Sequence, residues 1–149
     1  MKAGLTAGGA PTSINGTPNG TTTVSGFTRD VKIDMREGDD TIVMSNITIR
    51  GNTSINTNGG VDAVTISGVT AKGKLKVKLG ASADTLTVTN TTVAGHTKLL
   101  TSVGNDNVTV TGLATKKLGT KLGKGNDMIT VTNTTTADSF LHGGEGVNT

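Results

Sequence analysis

The chain has 149 residues, a formal net charge of +3, 32% hydrophobic residues, and no Cys, Trp or Tyr. This composition excludes a disulfide scaffold, a Cys-based zinc site and a large conventional core. No apolar run approaches the ~18 residues of a membrane-spanning helix, and the mild positive charge is too small to indicate a specific nucleic-acid binder. The 30 Thr residues favour strands over helices.

Residues 1–19 are rich in Gly, Thr, Pro, Ser and Asn, and they predict an N-terminal cap or a loose tail. The first five residues contain no apolar core of a signal peptide. Residues 20–149 predict a single repeat domain. The last repeat stops one residue after its anchor, so we expect this domain to be a fragment of a longer array.

Residues 20–149 repeat a turn that ends in Asp and is followed by alternating apolar and polar residues. The anchors advance in steps of 22, 22, 22, 21 and 21 residues, with Asn148 in the last copy. Two apolar residues follow each anchor, such as Leu86 and Val88, and a second alternating stretch precedes the next anchor. A period of two predicts strands. The anchors are Asp40, Asp62, Asp84, Asp106 and Asp127.

Short strands in such a repeat can bury one face only by stacking on their copies in neighbouring coils. The sequence therefore predicts an all-β, single parallel β-solenoid (β-helix), right-handed, with about six coils of 20–22 residues. Its core would contain columns of Val, Ile, Leu and Thr. We expect in-register Thr hydroxyls in that core to bond to their copies above and below.

These repeats resemble the Gly-x-Asp coil repeats of bacterial secreted and surface parallel β-solenoid proteins. Two turns, 123–129 and 143–148, also resemble in part the calcium-binding turns of RTX-type proteins. That family repeats every nine residues, and Asn148 departs from its Asp. The resemblance implies a secreted or cell-surface stalk, adhesin or scaffold.

The five anchor aspartates are the first candidate site, because in-register carboxylates roughly 4.8 Å apart repel one another. One interpretation is structural: each carboxylate accepts backbone N–H bonds in its own turn. The other places Ca²⁺ between adjacent turns, with these carboxylates as ligands. The sequence leaves both open, so the expected cofactor is either none or Ca²⁺.

Outward Thr residues on the strand after each anchor are the second candidate site. They predict two parallel rows that resemble the ice-binding face of β-solenoid antifreeze proteins. The alternative is that Thr is a favourable solvent-facing strand residue. The rows contain Thr65, Thr87, Thr89, Thr109, Thr111, Thr130 and Thr132.

Outward Lys residues on the strand before each anchor are the third candidate site. A positive stripe suits an acidic polysaccharide, although such residues also form solvated faces that resist aggregation. Expected partners are a surface polysaccharide or another protein, with no specific nucleic acid and no membrane span. Unpaired solenoid ends would also allow end-to-end self-association. The stripe contains Lys76, Lys78, Lys98 and Lys121.

No catalytic constellation stands out from the repeat, since His96 and His142 are isolated and occupy different repeat positions. We therefore expect no enzyme. The favoured function is a structural or adhesive module of a bacterial cell-surface or secreted protein. The alternative is a ligand-binding solenoid that binds calcium through the Asp turns or ice through the Thr rows.

Overall fold

A computed structural model describes the backbone of residues 12–15 and 21–24, and all atoms of residues 29–149. Across these ranges the chain forms an all-β parallel β-solenoid of about five turns without helices, which confirms the predicted fold class. Within the same ranges, no helix has the length and hydropathy needed to cross a membrane. Most of the predicted cap, 1–19, lies outside the described residues.

One sheet contains the strand that follows each anchor, and we call it the Thr sheet. Its strands pair in parallel, and each side chain lies beside its copy in the next coil; Leu86, for example, lies between Val64 and Val108. Its described strands are β2 (Thr21–Val24), β4 (Thr41–Ser45), β7 (Ala63–Ser67), β10 (Thr85–Thr89), β12 (Asn107–Thr111) and β14 (Met128–Thr132).

The second sheet contains the strand that precedes each anchor, and we call it the Lys sheet. It is also parallel, and the first strand of the described chain joins it inside the predicted cap. Its main strands are β1 (Thr12–Asn15), β3 (Val31–Asp34), β6 (Thr53–Asn56), β9 (Leu75–Lys78), β11 (Thr92–Leu100), β13 (Ala114–Lys124) and β15 (Thr135–Glu145). Two short strands, β5 (Thr48–Ile49) and β8 (Thr70–Ala71), extend it beside the start of β11.

The step from 22 to 21 residues per coil is located at the corner before the Lys sheet. Ala94 and Gly95 of β11 lie opposite the single residue Lys116 of β13, and pairing resumes at His96 and Lys117. The shorter coils therefore lack the corner glycine. In β13 and β15 the strand runs through this corner without a break.

The interior is filled by the inward side chains of both sheets, as the alternating pattern predicts. In the Thr sheet these columns are apolar in every coil from β4 to β14. In the Lys sheet the first and last columns alternate between large apolar residues and Thr from one coil to the next, whereas the middle column stays apolar from Ile33 to Leu99. The last inward column shows this alternation in the order Met35, Thr57, Leu79, Thr101, Leu122.

The predicted ladder of in-register core Thr hydroxyls is wrong. An apolar residue separates Thr57 from Thr101, so neither hydroxyl reaches a copy of itself, and both are buried without a hydrogen-bond partner. The buried Thr–Thr bond that does form joins Thr97 to Thr115 at 3.0 Å, across the corner rather than along a column. Large and small side chains alternate because this lets neighbouring coils interdigitate.

The corner after the Thr sheet requires one residue with a left-handed backbone in every coil. Asn and Gly alternate there, with φ of 52° at Asn46 and 62° at Gly68. A Cβ at Gly68 would lie 2.5 Å from the Asn46 side-chain oxygen, so a second side chain at this corner would have to displace the first. In the last inward column of the Lys sheet, the coils of Asn46 and Asn90 contain Thr57 and Thr101, and those of Gly68 and Gly112 contain Leu79 and Leu122. The corner and this column therefore repeat every two coils.

Candidate functional site

The anchor aspartates form a continuous ladder along the solenoid. Each is 1–2% exposed, and from Asp62 to Asp127 the Oδ1 accepts the backbone N–H of the anchor in the preceding coil. The bonds are Asp40 N to Asp62 Oδ1 (2.9 Å), Asp62 N to Asp84 Oδ1 (2.8 Å), Asp84 N to Asp106 Oδ1 (2.9 Å) and Asp106 N to Asp127 Oδ1 (2.9 Å). We call this series the Asp ladder.

These bonds run between coils, whereas the structural interpretation expected donors within each turn. At Asp84 the backbone N–H of Gly80, in the same turn, also offsets part of the rise in pKa that burial causes. The reason for the bonds between coils lies in the backbone: Asp40 O accepts from Ala63 N, but no backbone carbonyl pairs with the anchor N–H. The side chain of the next coil supplies the missing acceptor. Asn148 does the same for Asp127 N at 3.0 Å, which shows that an amide oxygen can replace the carboxylate.

The residue before the anchor bonds in the opposite direction. Asp39 Oδ1 accepts from Val61 N at 2.7 Å, and Asn105 Oδ1 accepts from Asn126 N at 2.8 Å, each one coil further along. The Asn105-Asp106 turn therefore bonds to the coil before it and to the coil after it. A hydrogen bond contributes about 0.5–1.5 kcal/mol, and more when one group is charged, so the repeated bonds hold adjacent coils in register.

Burial disfavours ionisation of three carboxyls of the ladder. Desolvation raises the pKa of Asp62 and of Asp106, and it raises the pKa of Asp84 to about 7. Thr57 lies beside the Asp62 carboxyl and Thr101 beside that of Asp106; each hydroxyl lowers the pKa of its neighbour without reaching the geometry of a hydrogen bond.

The difference at Asp84 follows from the two-coil repeat. The residue five positions before Asp84 is Leu79, where the coils of Asp62 and Asp106 have Thr. Asp84 therefore has no hydroxyl to offset its burial, although its Oδ2 is buried without a hydrogen-bond partner just as that of Asp62 and of Asp106 is. Carboxyl groups in the same backbone position thus differ in pKa because the neighbouring residue of the Lys sheet differs.

The Asp ladder as it stands does not favour a calcium site. Calcium takes six to eight oxygen ligands, whereas Oδ1 of each described anchor from Asp62 to Asp127 already accepts a backbone N–H. Across residues 29–149, no three His, Asp or Glu side chains are grouped so that they could hold a metal ion. Calcium binding stays a prediction, which melting in Ca²⁺ against melting in chelator would test.

The Thr sheet brings all seven predicted Thr residues into two adjacent rows. One row contains Thr65, Thr87, Thr109 and Thr130, and the other contains Thr89, Thr111 and Thr132 after Ser67. Thr111 and Thr132 are joined through their hydroxyls at 3.0 Å. The rows repeat at the spacing of parallel strands, about 4.8 Å. This is the regular array that the sequence predicts.

The Lys sheet exposes all four predicted Lys residues but splits them between two rows. Lys76 and Lys98 are neighbours in one row, while Leu100 separates Lys78 from Lys121 in the other. None of the four belongs to an ion pair found among the described residues, which are Lys32–Asp34, Lys117–Asp138 and Lys124–Glu145.

A surface depression that the sequence analysis missed interrupts the Lys sheet. Gly119 occupies the repeat position of Lys76 and Lys98, and Phe140 follows it in the same row. The cavity over this position has a volume of about 530 Å³. A glycine where other coils have Lys, next to one of only two aromatic residues in the chain, was the available signal.

Comparisons with protein-family models, curated proteins and solved structures found no match to this chain. Its function is therefore inferred from its own residues and their geometry.

Proposed function

We propose that the chain is a non-catalytic structural and adhesive module of a bacterial cell-surface or secreted protein. The observation that carries this proposal is the Asp ladder together with the opposite bonds from Asp39 and Asn105. These side chains are used between coils. The ladder bond recurs from Asp40 to Asn148. The opposite bond is added where Asp39, Asn105 or Asn126 precedes the anchor. A solenoid built this way supplies length and two long faces, with each coil contacting only adjacent coils.

The adhesive part of the proposal is supported by the exposed Lys76, Lys78, Lys98 and Lys121. None of their ammonium groups belongs to an ion pair of the described chain. The hydrogen bond from Asn56 does most to lower the pKa of Asp34, and Lys78 lies near enough to lower it further. The four Lys residues share one face. Such a face attracts anionic polymers, in a manner that weakens as salt rises. A surface polysaccharide with carboxylate or sulfate groups is the partner that this charge suits.

The test is to immobilise the full chain and measure its retention of polygalacturonate, dextran sulfate and neutral dextran. Chain length of each polymer is then measured by size exclusion after long incubation. Retention of an acidic polymer at unchanged length supports an adhesive, non-catalytic module. Shortening of any polymer contradicts the non-catalytic part, and failure to retain either acidic polymer contradicts the adhesive part.

A second candidate function, ice binding, is supported by the register of the two Thr rows. Rows of hydroxyls at a fixed spacing can order water if the face is regular over several coils. Thermal hysteresis of the full chain tests this, with Thr109→Tyr as a variant at the centre of the array and Ser54→Tyr as the control on the other sheet. Hysteresis that is lost only in Thr109→Tyr supports ice binding, whereas no hysteresis in the parent chain contradicts it.

A further inference from the structure

The absence of a side chain at Gly119 has no explanation in the backbone. Its φ is not in the left-handed range, and a Cβ there would meet only the Thr97 carbonyl oxygen, at 4.0 Å. At the corner glycine Gly95, by contrast, a Cβ would lie 2.7 Å from the carbonyl oxygen of Gly73. Glycine within a strand weakens it, and it often marks a place where a ligand approaches the backbone.

Gly119 lies at the centre of a depression that has charged side chains on one side and an aromatic ring on the other. Along the row, the neighbouring coils place Lys98 on one side and Phe140 on the other. Along its own strand, Lys117 and Lys121 are the next outward residues. We call this depression, floored by Gly119, the Gly119 pit.

The charges around the pit favour an anion. Lys117 is held by Asp138 at 2.6 Å, so its charge is neutralised locally. Lys98 and Lys121 belong to none of the ion pairs of the described chain and flank the pit diagonally. Because Lys side chains are long and flexible, these two ammonium groups on adjacent strands can both approach one carboxylate or sulfate group.

The same pit offers an apolar platform. The Phe140 side chain lies 58% exposed, on the outer face, and Leu100 lies half-buried beside Lys121. An exposed aromatic ring provides a flat surface for the C–H face of a sugar ring. The volume of about 530 Å³ falls in the range of small-ligand sites, which suits one or two sugar rings rather than a macromolecular surface.

We propose that the Gly119 pit binds one anionic sugar unit of an acidic polysaccharide. The sugar ring lies against Phe140 over Gly119, and its carboxylate or sulfate group contacts Lys98 and Lys121. This assignment rests on the proposed adhesive function and gives it a location and a ligand class. A single-stranded nucleic acid suits the site less, because such strands bind successive aromatic platforms, and Phe140 is the one aromatic residue among 29–149.

The test compares two variants at the same repeat position on different coils. Gly119→Leu fills the pit, and Ser54→Leu adds the same side chain three coils away, where Ser54 and Lys76 share the row. We expect Gly119→Leu to weaken polygalacturonate or dextran sulfate binding at least tenfold, with a melting temperature equal to or above that of the parent chain. Ser54→Leu should bind within twofold of the parent. Whichever polymer binds more tightly identifies the carboxylate or the sulfate as the preferred group.

Phe140→Ala and Lys98→Gln provide an independent test if Gly119→Leu fails to fold. Each should weaken binding at least threefold without lowering the melting temperature by more than a few degrees. Equal binding by the parent and Gly119→Leu overturns the pit while leaving the adhesive function standing. Binding of polyglutamate or single-stranded DNA as tightly as the polysaccharide overturns it in favour of charge alone or of a nucleic acid. No binding by the parent contradicts both proposals.

Discussion

The Thr sheet and the Lys sheet are built from the same coils, yet they vary to different degrees. In the Thr sheet the inward columns are apolar in every coil from β4 to β14, and the outward rows are mostly Thr. In the Lys sheet two of the three inward columns alternate between Thr and large apolar residues, and the outward rows change from Lys to Gly and Phe. The uniform sheet fixes the register of the stack, which leaves the other free to differ between coils.

The difference between the two sheets shows how one coil of a repetitive fold can differ chemically from the next. Asp62 and Asp84 hold identical positions at the start of the Thr sheet and make the same bond to the preceding coil. Their surroundings differ because the last inward residue of the Lys sheet is Thr57 in the coil of Asp62 and Leu79 in the coil of Asp84. A variable sheet can thus change the chemistry of an invariant ladder without moving it.

The largest expected effect is a dependence of stability on pH that comes from Asp84. Its pKa of about 7 in the folded state lies above the ordinary 3.8, so the folded chain holds a proton that the unfolded chain has released. The free energy of unfolding should therefore fall as pH rises from about 4 to about 7. The loss at Asp84 reaches about 4 kcal/mol if the whole shift is expressed, at about 1.4 kcal/mol per unit. Urea unfolding at pH 4.5, 6 and 8 measures it.

Two variants connect this pH dependence to the contrast between the sheets. Asp84→Asn keeps an oxygen acceptor for the ladder, as Asn148 does, and it should remove the Asp84 part of the pH dependence. Leu79→Thr gives Asp84 the kind of neighbour that Asp62 has, and it should move the transition to lower pH. An unchanged pH profile in Asp84→Asn would refute the assignment to this residue.

The second prediction tests the uniform core of the Thr sheet. Leu86→Ala removes a fully buried side chain between Val64 and Val108. Because the paired strands on both sides hold these residues in place, the neighbouring side chains cannot move in to fill the cavity. We expect a loss of about 3 kcal/mol in the free energy of unfolding, from the range for such cavities. The outward neighbour Thr87→Ala serves as the control, with a change within about 0.5 kcal/mol. Equal losses in both variants would contradict the assigned inward and outward faces.

The third prediction concerns the turn that leads from the Lys sheet to the Thr sheet. Ser82 has a φ of 92° at a turn position where neighbouring coils have glycine, as at Gly60 and Gly104. Ser82→Gly should therefore raise the free energy of unfolding by about 1 kcal/mol. Ser54→Gly, within strand β6, should lower it by about the same amount. Destabilisation by Ser82→Gly would show that the left-handed backbone at Ser82 does not lower the stability of the folded chain.

The strands, the register and the inward columns followed from the sequence, because a period of two and a step of 22 residues determine them together. The two-coil repeat is also present in the sequence, in the alternation of Asn46, Gly68, Asn90 and Gly112, but a search for identical coils passes over it. The direction of the Asp bonds could not be predicted, since it depends on which N–H the backbone leaves unpaired.

The Gly119 pit was missed for a different reason. Its residues come from three coils, and the corner deletion at Lys116 changes the spacing between the turn and the Lys sheet. The sequence shows a glycine at a repeat position where other coils have Lys, but only the surroundings of Gly119 show that a side chain would fit there. A repeat position with an unexplained glycine is therefore a feature worth seeking in other solenoids.

The most direct test of the Asp ladder is backbone amide hydrogen exchange at Asp84 in the parent chain and in Asp106→Ala. The Asp84 N–H donates to Asp106 Oδ1 at 2.9 Å, whereas the Asp62 N–H donates to Asp84 Oδ1 one coil away. The ladder predicts slow exchange at both amides in the parent chain, and at least tenfold faster exchange at Asp84 than at Asp62 in the variant. Equal protection of the Asp84 amide in the two proteins would contradict it.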